Sequence, residues 1–121
     1  MYQAPNISLG KLGEQASATY LRDNGYKILD RNVRLGIGEL DIIAFKGSIL
    51  CIFEVKTRKN TDKGQPYEAV TPTKARKLLL MGEKYSLQKK LNHSKLSLGV
   101  IAVLVDEANM VASIKLYDYF A

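Results

Sequence analysis

Two apolar runs, Glu39 to Lys46 and Ile49 to Lys56, are separated only by Gly47-Ser48 and carry acids where a buried strand has little use for them. A two-residue loop with glycine first suits a type II′ turn, which would pair Lys46 with Ile49. That register sets Asp41 opposite Glu54 and Glu39 opposite Lys56. Period-two alternation puts all four on one face, at the end away from the turn. Toward the turn that face continues as Ile43, Phe45, Leu50 and Ile52. The other face, Leu40, Ile42, Ala44, Cys51, Phe53 and Val55, is also apolar, so the hairpin is expected to be buried on both sides. Two carboxylates opposed in a low-dielectric site repel unless a proton or a cation comes between them, and neutralising either should relieve the protein. Mg²⁺, with Mn²⁺ as a substitute, suits such a pair, because this hard ion takes one or two carboxylates and completes its shell with water and phosphate. Lys56 on the same face could orient a metal-bound water or offset charge growing on a phosphate. The plainer reading is a charged strand end, with Glu39 and Lys56 a cross-strand ion pair.

The elements that must position these groups follow from pattern. Ser8 can cap a first helix, about Leu9 to Asn24, with Leu9, Leu12, Ala16 and Tyr20 at helical spacing and Gly25 to end it. Tyr26 to Val33 reads as a strand ahead of the hairpin. Thr71 as cap and Pro72 at the first helical position open a second helix, with Ala75, Leu78, Leu79, Gly82 and Tyr85 on one side. Leu98 to Val105 is a nearly all-apolar strand and Val111 to Leu116 a candidate fifth. The order αβββαβ(β) implies an α/β fold, a mixed sheet flanked by helices.

Composition bounds the rest. A chain of 121 residues is expected to form a single domain over 1–121 with a core of its own. The 46% hydrophobic and 25% charged fractions rule out a disordered or fibrous reading. One cysteine, Cys51, cannot form an internal disulfide, and no stretch has the length of a membrane span or a signal peptide. A cytoplasmic protein with no membrane association is expected. The net charge of +6 favours anionic partners, nucleic acid first among them.

At this point the residues resemble a family. Acid, then Asp in the second strand, then Glu-x-Lys in the third is similar to the restriction-endonuclease-like PD-(D/E)xK superfamily, which includes archaeal Holliday-junction resolvases. More narrowly, the chain resembles the YraN-type family of small uncharacterised bacterial proteins. The matching pieces include Gly13-Glu14, Arg31-Asn32, Gly38-Glu39-Leu40-Asp41, Phe53-Glu54-Val55-Lys56-Thr57-Arg58, Pro66-Tyr67-Glu68-Ala69-Val70 and Lys74, across roughly residues 9 to 105. The resemblance implies a restriction-endonuclease-like core in which Asp41 and Glu54 bind Mg²⁺, Lys56 assists the attacking water, and Glu14 from the first helix completes the acidic cluster. Glu39 would be a supporting residue at the metal or the partner of Lys56. The implied activity is Mg²⁺-dependent hydrolysis of phosphodiester bonds in DNA, with structured or branched DNA among the candidates. The alternative is a nucleic-acid-binding module that retains the fold without cleaving. This chain departs from the family in having Ser97-Leu98-Gly99 where an Arg-Phe-Asp often leads into the fourth strand, and in the tail beyond Val105.

Lys74, Arg76 and Lys77 begin a basic run on the second helix, and Arg58, Lys59 and Lys63 follow Lys56 in a polar stretch that ends at Glu68. Both groups could hold a phosphate backbone, or simply solvate a helix face and a loop. Tyr67 could stack a base, or pack. One His and one Cys leave no Ser-His-Asp or Cys-His machinery and no zinc spacing, and no Walker sequence is present. The assembly is open, with a homodimer as one option.

Overall fold

The computed structural model describes residues 8–36, 38–60, 62 and 64–120. The elements are α1 (Leu9–Asp23), β1 (Lys27–Leu35), β2 (Gly38–Lys46), β3 (Ile49–Arg58), a one-turn 3₁₀ helix η1 (Pro66–Ala69), α2 (Pro72–Lys89), β4 (Lys95–Val105) and β5 (Val111–Phe120). The five strands form one sheet in the order β1-β2-β3-β4-β5. All neighbours are antiparallel except β3 and β4, which run parallel because η1 and α2 carry the chain back between them. The result is a mixed α/β fold, the arrangement implied by the likeness to restriction-endonuclease-like proteins.

Local chemistry explains the elements. The Ser8 side chain accepts the Lys11 N–H and opens α1; Thr71 Oγ1 accepts the Lys74 N–H and, with Pro72 behind it, opens α2. Gly47 at φ +59 begins the expected hairpin turn, and the register predicted from it holds from Lys46–Ile49 to Ile42–Phe53. The last two strands are longer than their apolar patterns indicate. β4 starts at Lys95, paired with Ile49, and β5 continues to Phe120 along β4. Polar Lys95 and Ser97, and Lys115 and Asp118, sit in these extensions or beside them and hide them in the pattern.

The helices cover opposite faces. Leu21 of α1 belongs with Ile42, Ala44, Cys51, Phe53, Ile101 and Val103, while Leu78, Met81 and Tyr85 of α2 belong with Ile43, Leu50, Ile52, Leu98 and Val100. The hairpin is therefore buried on both sides. One expectation fails: strict alternation assigns Leu40 to the α1 face, yet it packs on the α2 side. Opposite Asp41, Asn32 of β1 is left-handed, φ +54, between the pairs Arg31–Ile42 and Val33–Leu40. Asp41 thus stands at an irregularity in the sheet.

Helix α1 approaches β3 so closely that a Cβ on Gly13 would run into Thr57 Oγ1. Gly13→Ala is expected to lower Tm by several degrees through overpacking, and Thr57→Ala in the same chain to restore part of the loss. Thermal melts of the two single variants and the double variant check it, and additive losses would mean the two residues do not compete for space.

Candidate active site

The β2–β3 ladder closes at Ile42–Phe53, one pair short of the two acids. Beyond it the strands part, and the Asp41 side chain fills the gap: its Oδ2 accepts the Val55 N–H at 2.8 Å. Asp41 is held by the backbone of β3 directly beside Glu54. Glu54, only 7% exposed, faces the α2 side. There its Oε1 receives Lys74 Nζ at 2.9 Å and Lys56 Nζ at 3.4 Å. Asp41, Glu54 and Lys74 line an open cleft of about 530 Å³ between the sheet and the first turns of α2, with Gly38, Glu39, Thr71, Thr73 and Lys77 around them.

The two acids are not equivalent. Burial, then the Glu54 charge, raise the Asp41 carboxyl from the usual 3.8 to about 7; Glu14 and Glu39 add to the push, and the Val55 N–H opposes it. Among the described residues no cationic side chain lies within 4 Å of Asp41. Glu54 instead carries two ammonium partners. Burial pulls the Lys74 ammonium down, but its hydrogen bond and charge attraction to Glu54 more than offset this and leave its pKa raised. The two ammonium groups are thus in contact with Glu54, while Asp41 feels the Lys74 charge without an ion-pair contact.

The residues singled out in the sequence divide accordingly. Asp41, Glu54 and Lys56 come together as the register implied. Glu39 also lines the cleft, but its ion pair is a 4.0 Å contact with Arg34 of β1, and Lys56 turns to Glu54. The predicted Glu39–Lys56 pair does not form, because it required the ladder to continue past Ile42–Phe53. Glu14 lies half-buried in a separate depression with Lys11, Gln15, Arg31 and Asn32, from which its charge still reaches Asp41. Arg58 and Lys59 line another depression beside Leu9 at the start of α1. Lys63 lies outside the described residues. Of the basic run on α2, Lys74 and Lys77 line the cleft, while Arg76 turns to Thr73 Oγ1 at 3.5 Å. The sequence marks Lys74 as a phosphate contact and conceals its grip on Glu54, together with Thr71 and Thr73 as cleft walls. The Thr71-Pro72 cap was the available signal, since a cap fixes where the first helical side chains stand.

Asp41 and Glu54 converge on the backbone of β3, and among the described residues no group of three His, Cys, Asp or Glu side chains gathers at metal-holding distance. Such a pair fits Mg²⁺, which keeps most of its water, and fits poorly an ion that needs a closed protein cage.

Asp41→Asn and Glu54→Gln are expected to move stability in opposite directions. A carboxyl raised to about 7 keeps in the folded chain a proton that the unfolded chain releases near 3.8. Its stabilising effect is full below about pH 4 and is lost as pH rises to about 7. The asparagine side chain mimics the protonated acid at every pH, so the Tm of that variant relative to wild type should climb from near zero at about pH 4 to several degrees at about pH 8. Glu54→Gln leaves two ammonium groups without their carboxylate and should lower Tm at both pH values. Metal-free melts across this range decide it; a flat Asp41→Asn difference would give Asp41 an ordinary solvated carboxyl.

The family model for the uncharacterised protein family UPF0102 matches residues 13–103. A UPF0102 protein of Chlorobium limicola is 43% identical over 99 residues, 82% of this chain and 77% of the relative. One from Dictyoglomus thermophilum is 38% identical over 106 residues, 88% and 90% of the two chains. One from Syntrophotalea carbinolica is 44% identical over 97 residues, 80% and 79%. The matched span runs from Gly13, against β3, through the whole hairpin and α2 to Val103, so it holds every residue of the cleft. The chain belongs to the UPF0102 family, the YraN-type proteins that its sequence resembles.

Proposed function

We propose that this protein is a Mg²⁺-dependent nuclease of the cytoplasm that hydrolyses phosphodiester bonds in DNA, structured or branched DNA included. The observation that carries the reading is the Asp41–Glu54 pair, fixed by the Val55 N–H in an open cleft whose rim is basic. A buried acid pair with no structural cation on one member is costly to the fold, and a binding or catalytic role accounts for its presence. No helix among the described residues is long and apolar enough to cross a membrane.

Asp41 and Glu54 would hold the metal ion, with Mn²⁺ able to replace Mg²⁺; bound there, the ion would polarise the phosphate and acidify a water. The chain's own residues do the positioning. Lys56, whose Nζ stands 3.4 Å from Glu54 Oε1, would orient the attacking water and offset charge on the phosphate. Lys74 fixes the Glu54 carboxylate in place, and Lys77 extends the positive rim along the first turns of α2. Glu39 and Glu14 add negative potential at Asp41, which attracts a cation there. A second reading, binding without cleavage, draws on the two lysines that already neutralise Glu54.

Pure protein incubated with junction, flap, single-stranded and duplex DNA should cleave at least one of them with Mg²⁺ and none with chelator. Asp41→Asn, Glu54→Gln and Lys56→Ala should each cost about two orders of magnitude or more. Saturating Mg²⁺ should raise the Tm of wild type by several degrees and leave Asp41→Asn unmoved. Salt-dependent binding without cleavage would favour the binding module, and neither cleavage nor binding would remove both. The basic rim has its own test. Lys77→Gln should reduce the slope of log affinity against log salt by about 0.9 on duplex DNA without changing base preference, as expected for one lost phosphate contact. An unchanged slope would turn this side of α2 away from the nucleic acid.

A further inference from the structure

The α2 face of the sheet continues past the acid pair toward β5. Glu54 is paired across β4 with Val100 and then with Tyr117; the next row runs Lys56, Ala102, Lys115. Two strand spacings separate the ends of each row, about 10 Å. Val100 and Ala102, small and buried, stand between the ends of these two rows. The 3₁₀ helix η1 lies over β3 and β4, fastened by buried Pro66 and Val70, and it sets the Tyr67 ring on Tyr117 with centroids 4.7 Å apart and planes at 43°. Lys115 Nζ stands 5.1 Å from the Tyr117 centroid. Tyr67 is nonetheless 39% exposed. The other exposed large apolar side chains among the described residues lie elsewhere, Leu80 and Leu87 on α2 and Met110 and Val111 at the β4–β5 turn.

We propose that Tyr67, backed by Tyr117 and Lys115, is a stacking platform for one unpaired nucleobase of the strand whose phosphate enters the Asp41–Glu54 cleft, so that single-stranded or splayed DNA is preferred over intact duplex. This rests on the nuclease reading of the cleft and specifies its substrate. An aromatic ring held half out of water on a fastened turn offers a π-face at little entropic cost, and every base has a π-face to match it. A base inside a duplex has both faces covered and must be extruded first, so the platform discriminates by pairing state and not by sequence. Lys56 and Lys115, at the two ends of one row, supply cations for the phosphates on either side of the stacked nucleotide.

The test is binding without metal, which separates it from cleavage. Oligonucleotides carrying a fluorescent adenine analogue, whose emission stacking quenches, are titrated with full-length wild type, Tyr67→Ala, Tyr67→Leu and Tyr67→Phe. Wild type and Tyr67→Phe should quench the analogue in single-stranded and splayed DNA. Tyr67→Ala and Tyr67→Leu should lose the quench and bind single strands about tenfold or more weakly, with duplex affinity within about twofold of wild type. Should the alanine variant unfold, the leucine variant, which keeps bulk without a ring, carries the comparison. Equal quenching and affinity in wild type and Tyr67→Leu would overturn the platform and leave the nuclease reading intact. Failure of wild type to bind any of the DNAs would likewise overturn the platform, while the nuclease reading stands or falls on cleavage with Mg²⁺.

Discussion

The hydrogen bond from the Val55 N–H to Asp41 Oδ2 is the contact on which the site is built. Where β2 leaves β3, the freed amide of Val55 needs an acceptor, and the Asp41 carboxylate supplies one. The solution has a consequence that a neutral acceptor would not have. It brings a second carboxylate against Glu54 in a half-buried place, where burial and like charge push its proton affinity up to about 7. An asparagine would satisfy the amide equally well and spare the repulsion. That the chain carries the acid is the physical reason to look for a cation.

Around this contact the sheet is irregular on both sides. On the β1 side, Asn32 is left-handed between Arg31 and Val33; on the β3 side, the ladder has already ended. Regular strands would have sealed this end with hydrogen bonds and left no room for a cleft. Leu40, next to Asp41, packs into the α2-side core.

Much of this was legible in the sequence because it depends on local rules. The Gly47-Ser48 turn sets the register, the register brings Asp41, Glu54 and Lys56 to one face, and Ser8 and Thr71-Pro72 mark the helix starts. What the pattern conceals depends on contacts between distant parts. The Glu39–Lys56 pair assumes a ladder that stops early, and nothing in a strand's own alternation reveals where its neighbour departs. The grip of Lys74 on Glu54 joins residues 20 positions apart through the packing of α2, so a basic helical run reads as surface charge. The turn η1 falls inside a polar stretch that reads as loop, and its role emerges only from the strand it covers.

The parallel pairing of β3 with β4 ties these features together. A hairpin after β3 would have turned back within a few residues and brought nothing to its carboxyl end; parallel pairing demands a long crossover instead. That crossover passes through η1 and α2, delivering Lys74 and Lys77 to one side of Glu54 and Tyr67 to the side facing β5. Cations thus reach the acid pair, and an aromatic ring the far end of its row, through a connection that topology already required. Ligands in open α/β sheets gather beyond the carboxyl ends of strands for the same reason, because that is where crossovers begin and where backbone is free to carry functional side chains.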